Sequence, residues 1–152
     1  MSNGKNKAAK QKDSPDVLWM SRHEPLPVQV DELRKYFTRM GLAKSISVQM
    51  DERPFDSASE IAKRFQKSGA REMVVVAPYS VLDALVKLGI KPIRARMRLM
   101  DPHTERFNPY SDVKAGGRWY RHAKLERVDE FRLVTHPIMN EPKGELNEPK
   151  EK

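Results

Sequence analysis

The segment at residues 72–77 most constrains the fold, because it is a short, β-branched apolar run with no alternating polar residue. A strand with one face in water alternates apolar and polar residues, whereas a strand covered on both faces does not. The segment therefore predicts a central parallel strand with helices on both faces of its sheet. Parallel strands also require crossover connections, so helices are expected between the strands.

The rest of the chain up to residue 100 contains the other elements that such a sheet requires. Residues 17–20 are a second apolar run, and residues 45–50 and 93–100 alternate as strands do. Three intervening segments carry apolar residues at helical spacing, and each is followed by a glycine. Ser57, with a glutamate three residues later, is a capping-box pattern. The order β-α-β-α-β-α-β predicts an α/β fold, a Rossmann-like three-layer parallel sheet over residues 17–100.

The chain beyond this core has a different character. Residues 101–117 contain two prolines and a Gly-Gly pair, which predicts an irregular loop. Residues 118–128 and 130–136 look like strands, so we predict a C-terminal β-arm, or a hairpin around Val128-Asp129-Glu130. We predict a disordered basic tail at residues 1–16 and a second disordered tail at residues 137–152. Between them, residues 17–136 are predicted to form a single α/β domain made of core and arm.

Charge and composition narrow the function classes. The 152 residues include 29 Lys and Arg against 21 Asp and Glu, a net charge of +8. Of this, +5 falls in residues 91–136 and only +2 in residues 17–90, which favours a phosphate-bearing partner for the second part of the domain. The absence of cysteine excludes disulfides and a cysteine nucleophile. No apolar run suits a membrane span or a secretory signal, so we predict a cytoplasmic protein that does not contact the membrane.

The first candidate site is Ser21-Arg22-His23, the turn that follows the first strand. In open α/β sheets, ligands bind at the carboxyl ends of strands, near a switch in strand order. A hydroxyl, a guanidinium and an imidazole at that place, with Gln29 close by, suit a phosphate group. The alternative is that Ser21 and Glu24 merely cap a helix while His23 is solvated. The glycines of a dinucleotide fingerprint and of a P-loop are absent, so NAD or ATP binding of those types is not expected.

Two more segments should reach the same edge of the sheet. Arg53 follows the second strand, and Tyr79 and Ser80 follow the third. Tyr79 or Ser80 is a candidate to line a pocket facing His23. The alternative is that Ser80 is a helix N-cap.

Arg94, Arg96 and Arg98 alternate with apolar residues along the last core strand. Side chains at i and i+2 share a face, so the three guanidinium groups lie about 6.6 Å apart. Such a comb could follow the backbone of an extended nucleic acid. The alternative is an edge strand protected by charge, or arginines paired with acids.

The arm adds a mixture of basic and aromatic residues after the Gly-Gly pair. Arg118, Trp119, Arg121 and Lys124 combine a stacking surface with phosphate donors, as RNA- and DNA-binding surfaces do. The alternative is a structural β-arm with one buried aromatic. The four histidines have no metal-ligand spacing, so no metal and no cofactor are predicted.

Several short motifs together resemble a known family, the small Rossmann-like accessory proteins of type III CRISPR systems, which are related to CARF domains. The resemblance covers residues 17–100. It rests on Leu18-Trp19-Met20-Ser21-Arg22-His23-Glu24-Pro25, Gln29, Glu32-Leu33, Val74-Val75-Val76-Ala77-Pro78 and Lys91-Pro92.

The resemblance implies a ring nuclease that binds cyclic oligoadenylate and opens it without a metal, as a two-fold homodimer. In that family's chemistry Arg22 would stabilise charge on the phosphate and His23 would be the general acid or base. Ser21, Gln29 and Ser80 would position the ribose and the base. The competing hypothesis is a non-catalytic RNA- or DNA-binding protein that uses the arginine comb and the arm.

Overall fold

The computed structural model describes residues 14–130, 132 and 135–139, and the fold in these residues is α/β, as predicted. Within them nine elements follow one another along the chain. They are β1 (Val17–Met20), α1 (Pro27–Arg39), β2 (Val48–Met50), α2 (Ala58–Ser68), β3 (Glu72–Val75), α3 (Tyr79–Lys87), β4 (Ile93–Leu99), β5 (Asp112–Ala115) and β6 (Arg118–Arg127).

The strands form a six-stranded sheet in the order β2-β1-β3-β4-β6-β5. The first four strands are parallel, β6 is antiparallel to β4, and β5 is antiparallel to β6. The sheet is therefore mixed, and the prediction of a parallel Rossmann-like sheet is wrong for its last two strands. The physical reason is that no helix lies between β4 and β6, and without a crossover the chain can return only antiparallel.

Helices cover both faces of the parallel part of the sheet. Leu33 and Phe37 of α1 pack with Trp19 on one face. Ile61 of α2 and Leu85 of α3 pack with neighbouring strand residues on the other face. All four residues of β1 are consequently buried, which explains why its sequence lacks polar alternation.

Helix α2 follows its sequence signals closely. The Ser57 hydroxyl accepts a hydrogen bond from the Glu60 backbone N–H at 3.2 Å. The Glu60 carboxylate accepts from the Asp56 N–H at 2.9 Å, one residue earlier than a capping box requires. Gly69 ends the helix with φ of 74°, a left-handed conformation that favours glycine.

The arm is built differently from the predicted hairpin around Val128-Asp129-Glu130. Strand β5, inside the segment predicted to be irregular, pairs with β6 across Gly116-Gly117, whose φ angles are 59° and 75°. Two-residue hairpin turns with positive φ at both positions twist in the sense that antiparallel strands need, and Gly-Gly is a preferred sequence for them. The Gly-Gly pair is therefore a local sequence signal for this hairpin.

Part of the predicted organisation lies outside the described residues. Residues 130, 132, 135 and 136 belong to no strand, while Phe131, Leu133 and Val134 of the second predicted arm strand are outside the description. So are residues 1–13 and 140–152 of the two predicted tails. Among the described helices, none has the length and apolar character needed to cross a membrane.

Candidate functional site

The turn after β1, Ser21-Arg22-His23, is held in place by Trp19 of the strand. Trp19 is only 3% exposed, and its indole Nε1–H donates to the His23 carbonyl at 2.9 Å. The His23 N–H in turn donates to the Ser21 hydroxyl at 3.1 Å. Arg22 lies between them, exposed, and its side chain makes no hydrogen bond or ion pair with any described residue. The turn therefore presents an unpaired guanidinium from a fixed backbone.

This turn lies where the strand order reverses. The connection from β1 leads to β2 on one side, and the connection from β3 leads to β4 on the other. Helices α1 and α3 consequently pack on opposite faces and leave a crevice beyond the carboxyl ends of β1 and β3. The Asp51 N–H donates to the Trp19 carbonyl and the Val76 N–H to the Met20 carbonyl, which brings the chain after β2 and β3 to the same edge.

A cavity of about 380 Å³ opens at this edge, and we name it the switch-point cleft. Four of the predicted site residues, Ser21, Arg22, His23 and Arg53, contribute to its lining. Phe55 and Val76 are among the apolar residues that complete it. The tertiary structure thus brings together residues from the ends of three different strands.

Arg53 is oriented by a carboxylate beside the cleft. Its Nε and Nη2 donate to the two oxygens of Asp51 at 2.9 and 2.8 Å. Asp51 is buried, and these hydrogen bonds hold its pKa below the usual range. Arg64 Nη1 lies 3.6 Å from the same carboxylate. Asp51 therefore stays ionised, and Arg53 and Arg64 offset its charge. The exposed carboxylate of Glu52 also lines the cleft, so the lining holds two arginines and two carboxylates.

Tyr79 and Ser80 do not reach the switch-point cleft. The Tyr79 hydroxyl accepts a hydrogen bond from Arg94 Nη1 at 3.1 Å, and the Arg94 guanidinium lies 5.4 Å from the Tyr79 ring centre. Ser80 lies in the first turn of α3, and Pro78 is the N-cap, so the N-cap alternative for Ser80 is wrong. After β3, it is Val76 that lines the cleft. Its backbone N–H donates to the Met20 carbonyl, which holds it beside the end of β1.

Gln29 belongs to a buried polar network and does not line the cleft. Its Oε1 accepts from the Leu26 N–H at 2.8 Å, and its Nε2 lies 3.3 Å from His122 Nδ1. The His122 Nε2 is in turn 2.8 Å from Glu32 Oε1. Sequence reasoning missed this network because its members on α1 and β6 are 90 or more positions apart and have no local pattern.

A second cavity of about 300 Å³ adjoins the cleft, and we name it the apolar pocket. Ser21, His23 and Val76 line both cavities, so the turn after β1 separates them. Nothing in the sequence indicated this pocket, because its outer wall combines residues of β4 with residues of the antiparallel strands β5 and β6. Those residues are Ala95, Met97, Val113, Ala115 and Tyr120.

The arginine comb is paired with acids. Arg94 Nε and Arg96 Nη1 lie 3.4 and 3.2 Å from the Glu126 carboxylate, and Arg98 Nη1 lies 2.8 Å from Glu105. Desolvation alone would raise the pKa of Glu126, but hydrogen bonds to its carboxylate hold the pKa below the usual value. The comb therefore fits the alternative of paired arginines, although two of them share one carboxylate.

The predicted basic residues of the arm extend the same face. Lys124 Nζ lies 3.5 Å from Glu126, and Arg121 forms two hydrogen bonds to Asp112 at 2.8 and 3.0 Å. The Trp119 ring packs edge-on against Phe107 with 5.4 Å between the ring centres. Arg118 is exposed beside the hairpin turn. The loop before β5 covers part of this sheet face. We name the cations of the face the basic face: Arg94, Arg96, Arg98, Lys114, Arg121 and Lys124.

Comparisons with known proteins add no identity. No protein-family model, no curated protein and no solved structure matches the chain. The chemistry of the switch-point cleft and of the cavities and surfaces around it is therefore what bears on function.

Proposed function

We propose that the chain binds the phosphate of a nucleotide ligand in the switch-point cleft, and that the ligand is a cyclic oligoadenylate. One observation carries the proposal. Arg22 is exposed and unpaired within the described residues, on a turn fixed by Trp19 at the reversal of strand order. The fixed backbone places Arg22 at the cleft, and its unpaired guanidinium can donate charge-assisted hydrogen bonds to a phosphate.

The proposed chemistry is metal-independent opening of the ring. The ribose 2′-oxygen attacks the adjacent phosphorus, so that a P–O2′ bond forms and the P–O5′ bond breaks. His23 accepts the proton of the 2′-hydroxyl, and water supplies the proton that the 5′-oxygen takes up. Arg22 stabilises the extra negative charge on the phosphorane. The products are a linear strand and its terminal 2′,3′-cyclic phosphate.

The size of the cleft bears on the oligomeric state. About 380 Å³ lies near the lower end of the range of small-molecule pockets, ~300–1,000 Å³. Such a volume suits one phosphate with its sugar rather than a ring of four or six nucleotides. The proposal therefore includes a two-fold homodimer in which two clefts hold one symmetric ligand. A cytoplasmic location is also part of this proposal.

Binding tests the proposal first. We expect the full chain to bind cyclic tetra- or hexa-adenylate in isothermal titration, and Arg22→Ala to weaken binding about tenfold or more, as for a lost hydrogen bond to a charged group. The matched control is Arg39→Ala, which removes the same charge from an exposed site at the far end of α1. No binding by the wild type, or equal effects of the two variants, would overturn the proposal.

Cleavage is a separate readout. With a chelator present, we expect linear product from the wild type and at least about a hundredfold less from His23→Ala, whose affinity for the ring should change little. Binding without product would contradict the ring-opening step, and the protein would then be a receptor for the cyclic nucleotide.

A second candidate function is non-catalytic binding of RNA or DNA by the basic face. The observation that favours it is that six cations share this face with three carboxylates, Glu105, Asp112 and Glu126. The excess of positive charge leaves donors for a phosphate backbone. The salt dependence of binding to a single-stranded RNA tests this candidate.

A further inference from the structure

The apolar pocket lies on the α1 side of the sheet, directly across the turn from the switch-point cleft. Its floor is Trp19 of β1 and Gln29 of α1, and its outer wall is Ala95, Met97 and Tyr120. A cavity of about 300 Å³ with this composition is too apolar for a phosphate. It is large enough for one planar ring system.

The polar groups of the floor are already engaged. The Trp19 indole N–H donates to the His23 carbonyl. The Gln29 amide oxygen accepts from Leu26 and its nitrogen lies beside His122 Nδ1. Because Trp19 is only 3% exposed, the accessible aromatic and thioether surfaces of the pocket are those of Tyr120 and Met97, which favour contact with an aromatic ring. Polar groups at the pocket are the Tyr120 hydroxyl, which bonds to no described residue, the exposed Glu24 carboxylate, and Ser21 and His23 at the turn.

We propose that the apolar pocket binds the base of the nucleotide whose phosphate occupies the switch-point cleft. This inference rests on the proposed function, and it names the ligand as a nucleoside phosphate rather than a sugar phosphate or inorganic phosphate. The two cavities share Ser21 and His23, so a ligand with a phosphate at one end and a base at the other would cross the turn with its sugar beside these residues. The base then supplies affinity by stacking and the phosphate by ion pairing.

The primary experiment compares two ligands that carry the same phosphate. Adenosine 5′-monophosphate and ribose 5-phosphate are titrated into the full-length wild type by calorimetry. We expect the nucleotide to bind about tenfold or more tightly, the effect of one stacked base. Equal affinities would overturn this inference and leave the phosphate site standing. No binding of either ligand would overturn the phosphate site itself, and this inference with it.

Variants of the pocket test whether the preference for the nucleotide over ribose 5-phosphate arises there. Ala95→Leu fills the pocket from β4, and Val113→Phe fills it from β5. In either variant that melts cooperatively, we expect the affinity for adenosine 5′-monophosphate to fall to that for ribose 5-phosphate, while ribose 5-phosphate binds as before. Ala123→Leu is the control, since Ala123 is exposed and lies outside the pocket. Arg22→Ala should weaken both ligands by a similar factor. A folded pocket-filling variant that keeps the full preference for the nucleotide would overturn the inference.

Discussion

Trp19 shows how one buried side chain can serve the fold and the site together. Its ring belongs to the core on the α1 face, and its N–H fixes the carbonyl of His23. Because the same ring also lines the apolar pocket, it connects the core to both cavities through the turn. The residues that contact a ligand can therefore be exposed while the geometry that positions them is buried.

Asp112 has a comparable structural role in the arm. Its side chain is buried and accepts hydrogen bonds from Arg121, from the Asn108 N–H and from the Ser111 hydroxyl. The hydrogen bonds from Arg121 contribute most to lowering its pKa to about 2. The carboxylate thus ties the loop before β5 to the neighbouring strand.

We expect Asp112→Asn to lower the free energy of unfolding at pH 7 by about 2 kcal/mol, the order of magnitude for hydrogen bonds to a charged group. The folded pKa lies below the unfolded one, so the stabilisation is fully present above about pH 4 and is lost as the pH falls through about 2. Urea unfolding of both proteins between pH 7 and pH 2 should show the difference shrinking in that acid range.

The control is Asp129→Asn, which removes a carboxylate that is 65% exposed and 4.0 Å from its lysine partner. Exposed ion pairs contribute little, so this variant should change stability by less than about 0.5 kcal/mol at either pH. A difference between Asp112→Asn and the wild type that stayed constant with pH would contradict the assignment.

At the scale of the element, an irregularity in β6 determines which side chains reach α1. The pairing of β4 with β6 shifts between Arg96 and Met97, because Arg96 lies opposite Lys124 and Met97 lies opposite His122. Ala123 is the extra residue, a β-bulge. In a regular strand, His122 and Leu125 would lie on opposite faces. With the bulge, the His122 ring and the Leu125 N–H both contact the Glu32 carboxylate, at 2.8 and 2.9 Å.

Deleting Ala123 should therefore be far more damaging than altering its side chain. Without the extra residue, one half of β6 must turn its face over, and either His122 or Leu125 loses its place against α1. We expect the deletion to cost about 3 kcal/mol or more in unfolding free energy. Ala123→Ser, which keeps the bulge, should cost less than about 1 kcal/mol. Equal losses in chemical denaturation would show that the bulge is not needed.

At the scale of the whole molecule, the antiparallel extension of the sheet, β5 and β6, separates two surfaces. On the α1 side, β4, β5 and β6 wall the apolar pocket. On the other side, Tyr79 of α3 reaches Arg94 of β4, and four cations of the basic face are exposed: Arg96, Arg98, Lys114 and Lys124. A wholly parallel sheet would have required a further crossover helix and would have covered one of these surfaces.

The basic face predicts a salt-dependent interaction if nucleic acid binds there. The affinity for a single-stranded RNA should fall linearly with the logarithm of salt concentration. Replacing Arg94, Arg96 and Arg98 together by Ala should reduce that slope by about two, since each phosphate contact to a single strand contributes about 0.7. Fluorescence anisotropy at several salt concentrations measures the slope.

A variant of equal charge provides the comparison for this test. Lys35, Arg39 and Lys44 are exposed on α1 and the loop after it, and replacing all three by Ala removes the same charge from the other side of the molecule. Equal slopes for the two triple variants would assign the effect to net charge, and an affinity independent of salt would exclude the second candidate function.

The parallel core was predictable because each of its elements carries its own signal. The apolar runs of β1 and β3, the cap at Ser57 and the glycine after α2 act within a few residues. The order of these elements then placed the turn at Arg22 on the correct edge of the sheet. The first predicted arm strand, residues 118–128, is confirmed by β6, but its predicted hairpin partner is wrong. The Gly116-Gly117 pair, assigned to an irregular loop, is the turn that joins β6 to β5.

What the sequence determined by itself was the identity of the core elements and the presence of arginine, histidine and serine at the carboxyl edge, since periodicity and capping are local. Only the tertiary structure decided which acids pair with the comb, that Gln29 meets His122, and that a pocket lies beside the turn. These features depend on pairs such as Arg96 with Glu126 and Gln29 with His122, 30 and 93 positions apart. The physical reason is that such pairs meet only after the antiparallel strands have docked, and the direction of docking is set by packing and hydrogen bonding across the whole sheet.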